Sequence, residues 1–258
     1  MKTNTTWWAG IAGFAFTLSS PAATVAVVVD WLKLAGGSSP SGFQLLDDNS
    51  TAVASGSLAI VSNQGASSLS LPARTLNSSY WTGTTGFTDS VTGLADVSAM
   101  DFRVAPVSGK ANYTIEFSVP AGRQMLLVVG DFFHNATAST VGMSIAAGSD
   151  SGSVPVTLAG MYGWNNGVTL LTQDLAWDQP TGSLTTTAAA NGDSKFAFLQ
   201  IGPISGLNPR LTLSVPNGYA LDAGDAVIIG IGTVVPEPGI VTLAGVCGIL
   251  GLLLRRRV

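Results

Sequence analysis

The sequence predicts an all-β protein, a single antiparallel β-sandwich or jelly-roll-like body, and three observations carry that reading. Short runs rich in Val, Ile, Leu, Phe and Thr recur along the central stretch, each bounded by Gly, Pro, Asn, Asp or Ser, the punctuation of strands and turns. No window of about 12 residues between the two ends combines helical spacing with helix-forming composition. Charged residues make up only 10% of the chain against 46% hydrophobic. Many short strands with few charges favour packed antiparallel sheets.

Taken in order, the strands are expected at residues 57–61, 100–104, 113–119, 125–130, 154–158, 195–201, 210–215 and 226–233. Alternation is clearest in the third, where Tyr113, Ile115, Phe117 and Val119 share one face and Thr114, Glu116 and Ser118 the other, because successive side chains of a strand point to opposite sides. Leu211, Leu213 and Val215 repeat the pattern. Turn sequences stand between, such as Pro120-Ala121-Gly122, Asn165-Asn166-Gly167, Asn191-Gly192-Asp193 and Pro216-Asn217-Gly218, which suit the special backbone angles of tight turns. One domain over 27–233 is the simpler division, with a boundary near 88–96 as the alternative.

The formal charge of −4 understates the acidity of that body. Without Lys2, Arg255, Arg256, Arg257 and Glu237 at the ends, the basic count falls from 11 to 7 and the acidic from 15 to 14, a balance of −7. Nucleic-acid binding needs a basic stripe to neutralise phosphates, so no nucleic-acid partner is expected. The single cysteine, Cys247, lies in the C-terminal apolar run. The body therefore has no disulfide, no thiol nucleophile and no thiolate metal site, and must rely on its core.

The N-terminus places Lys2 before Trp7-Trp8, an apolar stretch from Ala9 to Leu18, and then Ser19-Ser20-Pro21-Ala22-Ala23. That order matches a secretion signal over residues 1–26, an apolar helix followed by a small-residue cleavage zone. At about 10 residues the stretch is too short to span a bilayer; a buried N-terminal strand or helix is the alternative. The C-terminus carries Val235-Pro236-Glu237-Pro238, sixteen uncharged residues at 239–254, and Arg255-Arg256-Arg257-Val258. Alternate prolines hold the motif extended. As a transmembrane helix the sixteen residues would reach about 24 Å, short of the ~30 Å hydrocarbon layer unless the arginines snorkel. The positive-inside rule then leaves the body outside.

Motif, apolar run and arginine cluster in that order, over 234–258, resemble the PEP-CTERM sorting signal. The resemblance implies export by a Gram-negative bacterium that makes exopolysaccharide. It also implies recognition by an exosortase, a membrane-embedded processing enzyme that removes the tail near the motif. Pro236, Glu237 and Pro238 would then be the recognition element, residues 239–254 a transient anchor in the inner membrane, and Arg255, Arg256 and Arg257 the stop-transfer. A permanent single-span anchor is the alternative.

Few residues in the body point to chemistry. His134 is the only histidine, beside Asp131, and no Gly-x-Ser-x-Gly elbow accompanies it, so a serine-type triad is not expected. Zinc is not expected either, since its sites lean on several His or Cys ligands. Asp174 and Asp178 flank Trp177, a pairing that a carboxylate-type hydrolase would use. Asp47-Asp48-Asn49 and the Asp222–Asp225 loop offer oxygen ligands for calcium, with Asx turns as the plainer reading. Of Trp31, Trp81, Trp164 and Trp177, Trp164 and Trp177 are the candidate glycan contacts, with Tyr80 beside Trp81 and Tyr162 near Trp164. The expectation is a non-catalytic structural protein of the cell surface or extracellular matrix, with no cofactor and no metal. Its expected partners are the processing enzyme, the inner membrane and, as a candidate, exopolysaccharide. A carbohydrate-binding or adhesive module is the alternative.

Overall fold

The computed structural model describes residues 27–64, 68–77, 85–105, 110–130, 141–163, 175–186, 195–214 and 226–236. Among them there are eighteen strands and no helix. In chain order these are β1 (Val27–Trp31), β2 (Lys33–Leu34), β3 (Phe43–Leu46), β4 (Ala52–Gln64), β5 (Ser68–Ser70), β6 (Ala73–Leu76), β7 (Phe87–Asp89), β8 (Val97–Ala105) and β9 (Lys110–Ser118). The second half adds β10 (Met125–Gly130), β11 (Val141–Ser149), β12 (Gly152–Val154), β13 (Val156–Gly163), β14 (Leu175–Asp178), β15 (Ser183–Thr186), β16 (Lys195–Ile201), β17 (Arg210–Ser214) and β18 (Ala226–Val234). The expected signal helix at 1–26 and transmembrane helix at 239–254 lie outside the described residues.

Two nine-stranded sheets result. Sheet A runs β13-β16-β10-β18-β1-β7, with β8 sharing the β1 side of β18 and carrying β5 and β6. Sheet B runs β14-β15-β11-β17-β9-β4-β3-β2, with β12 beside β11. All pairs are antiparallel except β1 with β7, which is parallel, with Val27 opposite Phe87. That pair departs from the wholly antiparallel body expected. The expected strand at 154–158 is also two strands. Pro155 separates β12, in sheet B, from β13, in sheet A, at a point where a missing N–H costs neither ladder a bond.

The sheets share one core. Sheet A contributes Leu127, Val129, Leu199 and Ile229, and sheet B contributes Phe117, Ile145, Leu211 and Leu213. Phe43 of β3 meets Phe102 of β8 edge-on at 6.0 Å, binding the layers together, and its sheet-B neighbour Phe117 edge-on at 5.6 Å. The other side of sheet B is polar along β9, where Glu116 and Ser118 are exposed while Ile115 and Phe117, alternating with them, are buried. Sheet A has no such wet side at its centre. Every residue of β10 is buried, and Leu126 and Val128 join Trp31, Phe87, Phe196 and Phe198 in a second core on the face away from sheet B.

That second core exists because sheet A rolls up. Phe87 in β7 and Phe198 in β16 are four strand steps apart, about 19 Å in a flat sheet, yet their rings stack at 4.7 Å. Tyr162 in β13, at the opposite edge from β7, donates its hydroxyl to the carbonyl of Thr85 at 3.0 Å. The two edges therefore meet over the concave face. Composition of β18 allows the curl: Ile229 and Ile231 point to the shared core, while Gly230 and Gly232 alternate with them on the concave side. A Cβ on Gly232 would lie 2.3 Å from Val29 Cγ1 and 2.8 Å from Trp31 Cε3, so only glycine lets β1 close in. A bulge between Leu158 and Gly160 adds twist at the far edge.

Candidate functional site

The body's two chain ends meet at one place. β1 and β18 are antiparallel neighbours, Val29 opposite Val234, so entry and exit lie side by side. Among the described residues the last bonds that hold the chain to the body run from the Val234 amide to the Gln124 carbonyl and from the Val235 amide to the Val28 carbonyl, both 2.9 Å. The Pro120–Gly122 turn precedes Gln124 in the chain; Gly122 takes φ +69° and its amide reaches the Ile204 carbonyl at 2.9 Å. Pro236 follows at once and is exposed. Of the expected sorting residues only Pro236 is described; Glu237, Pro238, residues 239–254 and Arg255, Arg256 and Arg257 lie outside the described residues.

Beside this exit the rolled sheet opens in an apolar cavity of about 600 Å³. Phe198 and Leu126 line it, Phe87 and Tyr162 come from the two meeting edges, and Val27 and Val234 come from the chain ends. Its polar atoms are few, chiefly the Gln200 amide and the Tyr162 hydroxyl already given to Thr85. Burial pushes the Tyr162 phenol above its ordinary value, so it stays a neutral donor. The volume is that of a small-molecule pocket.

The outer face of sheet B carries a different surface, a shallow groove of about 690 Å³. Gln44, Ser55, Ser57, Glu116 and Ser118 offer amide, hydroxyl and carboxylate groups there. Phe43 also borders it, lying over Gly56, where a Cβ would come within 2.3 Å of its ring.

A carboxylate pair ties the sheets at one end. The Asp48 amide reaches Asp30 Oδ1 at 3.3 Å, Lys33 Nζ donates to Asp48 Oδ1 at 2.9 Å, and the Ser90 hydroxyl donates to Asp48 Oδ2. Burial, then the charge of Asp48, raises the Asp30 carboxyl from 3.8 to about 6. Burial also pushes Asp48 upward, but the Ser90 and Lys33 contacts outweigh it and hold that carboxyl below its ordinary value. Asp47 makes the expected Asx turn, with its Oδ1 accepting from the Asn49 and Thr51 amides at 3.0 and 2.8 Å. Among the described residues no group of three or more His, Cys, Asp or Glu is placed to hold a metal ion.

The remaining candidates separate. Trp177 sits on β14 opposite Leu184, half-buried, its ring packed against the shared core and its buried indole N–H without an acceptor. Trp31 is fully buried in the second core. Asp178 is exposed and accepts from the Thr181 hydroxyl at 2.7 Å, a turn contact. Trp164, Asp174, His134, Asp131, Tyr80, Trp81, Asp222 and Asp225 lie outside the described residues. Sequence reasoning missed the cavity altogether, and the only signal for it is the unbroken apolar run of β10 and the Gly-Ile alternation of β18. No family model matches the chain, and comparison with curated proteins gives no match either.

Proposed function

We infer that the chain is an exported, exosortase-sorted protein of the cell surface or extracellular matrix, whose β-sandwich, jelly-roll-like body has a non-catalytic structural role. The observation that carries this reading is the order of the C-terminal residues: Pro236-Glu237-Pro238, an uncharged run, then Arg255-Arg256-Arg257. Its position supports the reading, because Pro236, the first residue of the motif, is exposed two residues after the end of β18. An extended motif at the body's surface is open to a processing enzyme at the inner membrane. Residues 1–26 act as the signal peptide and 239–254 as the temporary transmembrane helix. The test is mass spectrometry of the protein recovered from the envelope and the medium of producing cells. The expected mature chain lacks the signal and about two dozen C-terminal residues, in line with the motif's place near the chain end. An intact Arg-Arg-Arg terminus in the mature fraction overturns tail removal.

A second reading, an adhesive or carbohydrate-binding module that contacts exopolysaccharide, is favoured by the hydroxyl-lined groove on sheet B. Glycan arrays with the purified protein test it. Binding that falls on Gln44→Ala with Glu116→Ala supports the groove, and binding that falls on Trp164→Ala or Trp177→Ala moves the site to those rings. No binding to any glycan removes the reading.

A further inference from the structure

We propose that, while residues 239–254 hold the chain in the bilayer, the open end of rolled sheet A rests on the membrane surface and its cavity takes up a lipid acyl chain. This rests on the sorting reading above and adds to it an orientation and a ligand for the body. The first argument is the length of the tether. The Val235 amide is bonded to the Val28 carbonyl at 2.9 Å, and in the sequence only Pro236, Glu237 and Pro238 stand between Val235 and the uncharged run. Four steps of chain reach at most about 14 Å whatever their conformation. The headgroup zone of one leaflet takes up about 5–7 Å of that. The body cannot stand away from the bilayer; whatever surface surrounds Val235 is pressed against it.

The second argument is what that surface is. Val27 and Val235 are 42% and 38% exposed; Val27 lines the cavity together with Val234, and Val235 follows Val234 in the chain. None of the residues lining that cavity carries a charge, although the body as a whole is acidic and is repelled by anionic headgroups. The lining offers a glycan little besides the Gln200 amide, because the Tyr162 hydroxyl donates to the Thr85 carbonyl and the Thr85 hydroxyl to the Phe87 carbonyl. The floor of Leu126 and Phe198 between Phe87 and Tyr162 suits a flexible hydrocarbon instead. Apolar floor, uncharged rim and enforced contact with lipid coincide at one end of one sheet.

The experiment uses the full chain in vesicles of phosphatidylethanolamine and phosphatidylglycerol that carry a photoreactive diazirine in the acyl chain, followed by peptide mapping. Labelling is expected in residues 239–254 and also in the peptides containing Val27, Tyr162 and Phe198. Inserting about 12 Gly/Ser residues between Val235 and Pro236, a coil of roughly 20 Å, should lower body labelling about fivefold or more by diluting the tethered surface, with tail labelling unchanged. Val27→Glu, at a rim position 42% exposed, should do the same with an unchanged melting temperature. Labelling confined to 239–254 overturns this inference and leaves the sorting reading standing. Absence of label from 239–254 overturns both. Body labelling undiminished by the inserted linker overturns the tether argument, and a dimer with an unlabelled cavity assigns that face to a second copy and overturns the lipid.

Discussion

Sheet B is wet on one side and sheet A, at its centre, is wet on neither. Strands β9 and β17 of sheet B alternate, with Ile115, Phe117, Leu211 and Leu213 buried and Thr114, Glu116 and Thr212 turned outward. Strand β10 of sheet A is Met-Leu-Leu-Val-Val-Gly and buried throughout. The difference teaches that a sheet without a partner layer can still bury its second face by folding over it. Phe87 and Tyr162 from the two edges, not a third layer, supply the cover over Phe198. A continuous apolar run is the signature of a strand buried on both faces, and here the roll accounts for it.

The sharpest way to break the comparison is to charge the same side of each sheet, the side away from the other. Val128→Asp puts a carboxylate among Trp31, Phe87 and Phe198 in the second core, where Val128 has no exposure. It should cost about 3–5 kcal/mol, as unpaired buried charges do. Ser55→Asp on the open face of sheet B should stay within about 0.5 kcal/mol. Urea unfolding at neutral pH measures both. Equal effects would mean that the concave face of sheet A is open to water.

Glycine substitutions sharpen it next. Both sheets lay an aromatic ring over a glycine: Phe43 over Gly56 in sheet B, and Trp31 over Gly232 in sheet A. Gly56→Ala and Gly232→Ala each bring a Cβ within 2.3 Å of a neighbour, and overpacking of this kind costs about 1–3 kcal/mol. Their consequences should differ. Gly232→Ala obstructs the roll and should expose the cavity to an apolar dye such as ANS, whereas Gly56→Ala should lower stability with no gain in dye binding.

How much of this was legible follows from the same contrast. Residues 125–130 and 195–201 read as strands from their apolar runs, and both strands have those bounds in the structure. The strand at 113–119 read through its alternation. By contrast β11, Val-Gly-Met-Ser-Ile-Ala-Ala-Gly-Ser, is built of small residues that carry almost no strand signal, yet it pairs with three neighbours. Strand β1 hid its character behind Asp30, and β14 and β15 are four residues each. Tertiary pairing makes them strands; local propensity does not. The tail motif was legible because it is contiguous. The cavity was not, since Val27, Phe87, Leu126, Tyr162 and Phe198 come from five strands that only the roll assembles.

Acid titration probes the joint between the sheets. A carboxyl whose folded value is raised binds its proton more tightly in the native state, so Asp30 contributes stability below 3.8 that is lost as pH rises through about 6. Asp48, held low, works in the opposite direction and loses its contribution as pH falls. Asp30→Asn should therefore flatten the decline in stability between those two values. The expected change is at most about 1 kcal/mol, because water screens this partly exposed pair. Thermal melts at pH 4 and pH 6.5 on wild type and variant measure it; an unchanged slope would detach Asp30 from the joint.

The smallest effect is expected where the sequence suggested most. Trp177 packs its ring against the shared core beside Leu184 and leaves its indole N–H buried without an acceptor. Trp177→Phe keeps an aromatic ring there and removes the unsatisfied donor, so lost packing and relieved desolvation should nearly cancel, within about 1 kcal/mol. The same variant separates the two uses of the side chain. A core residue loses no ligand, so unchanged stability with unchanged glycan-array binding fixes Trp177 as part of sheet B's packing. Unchanged stability with lost binding would instead place a glycan on the half of the ring that remains exposed, and would make the edge of sheet B, not the groove on its face, the adhesive surface.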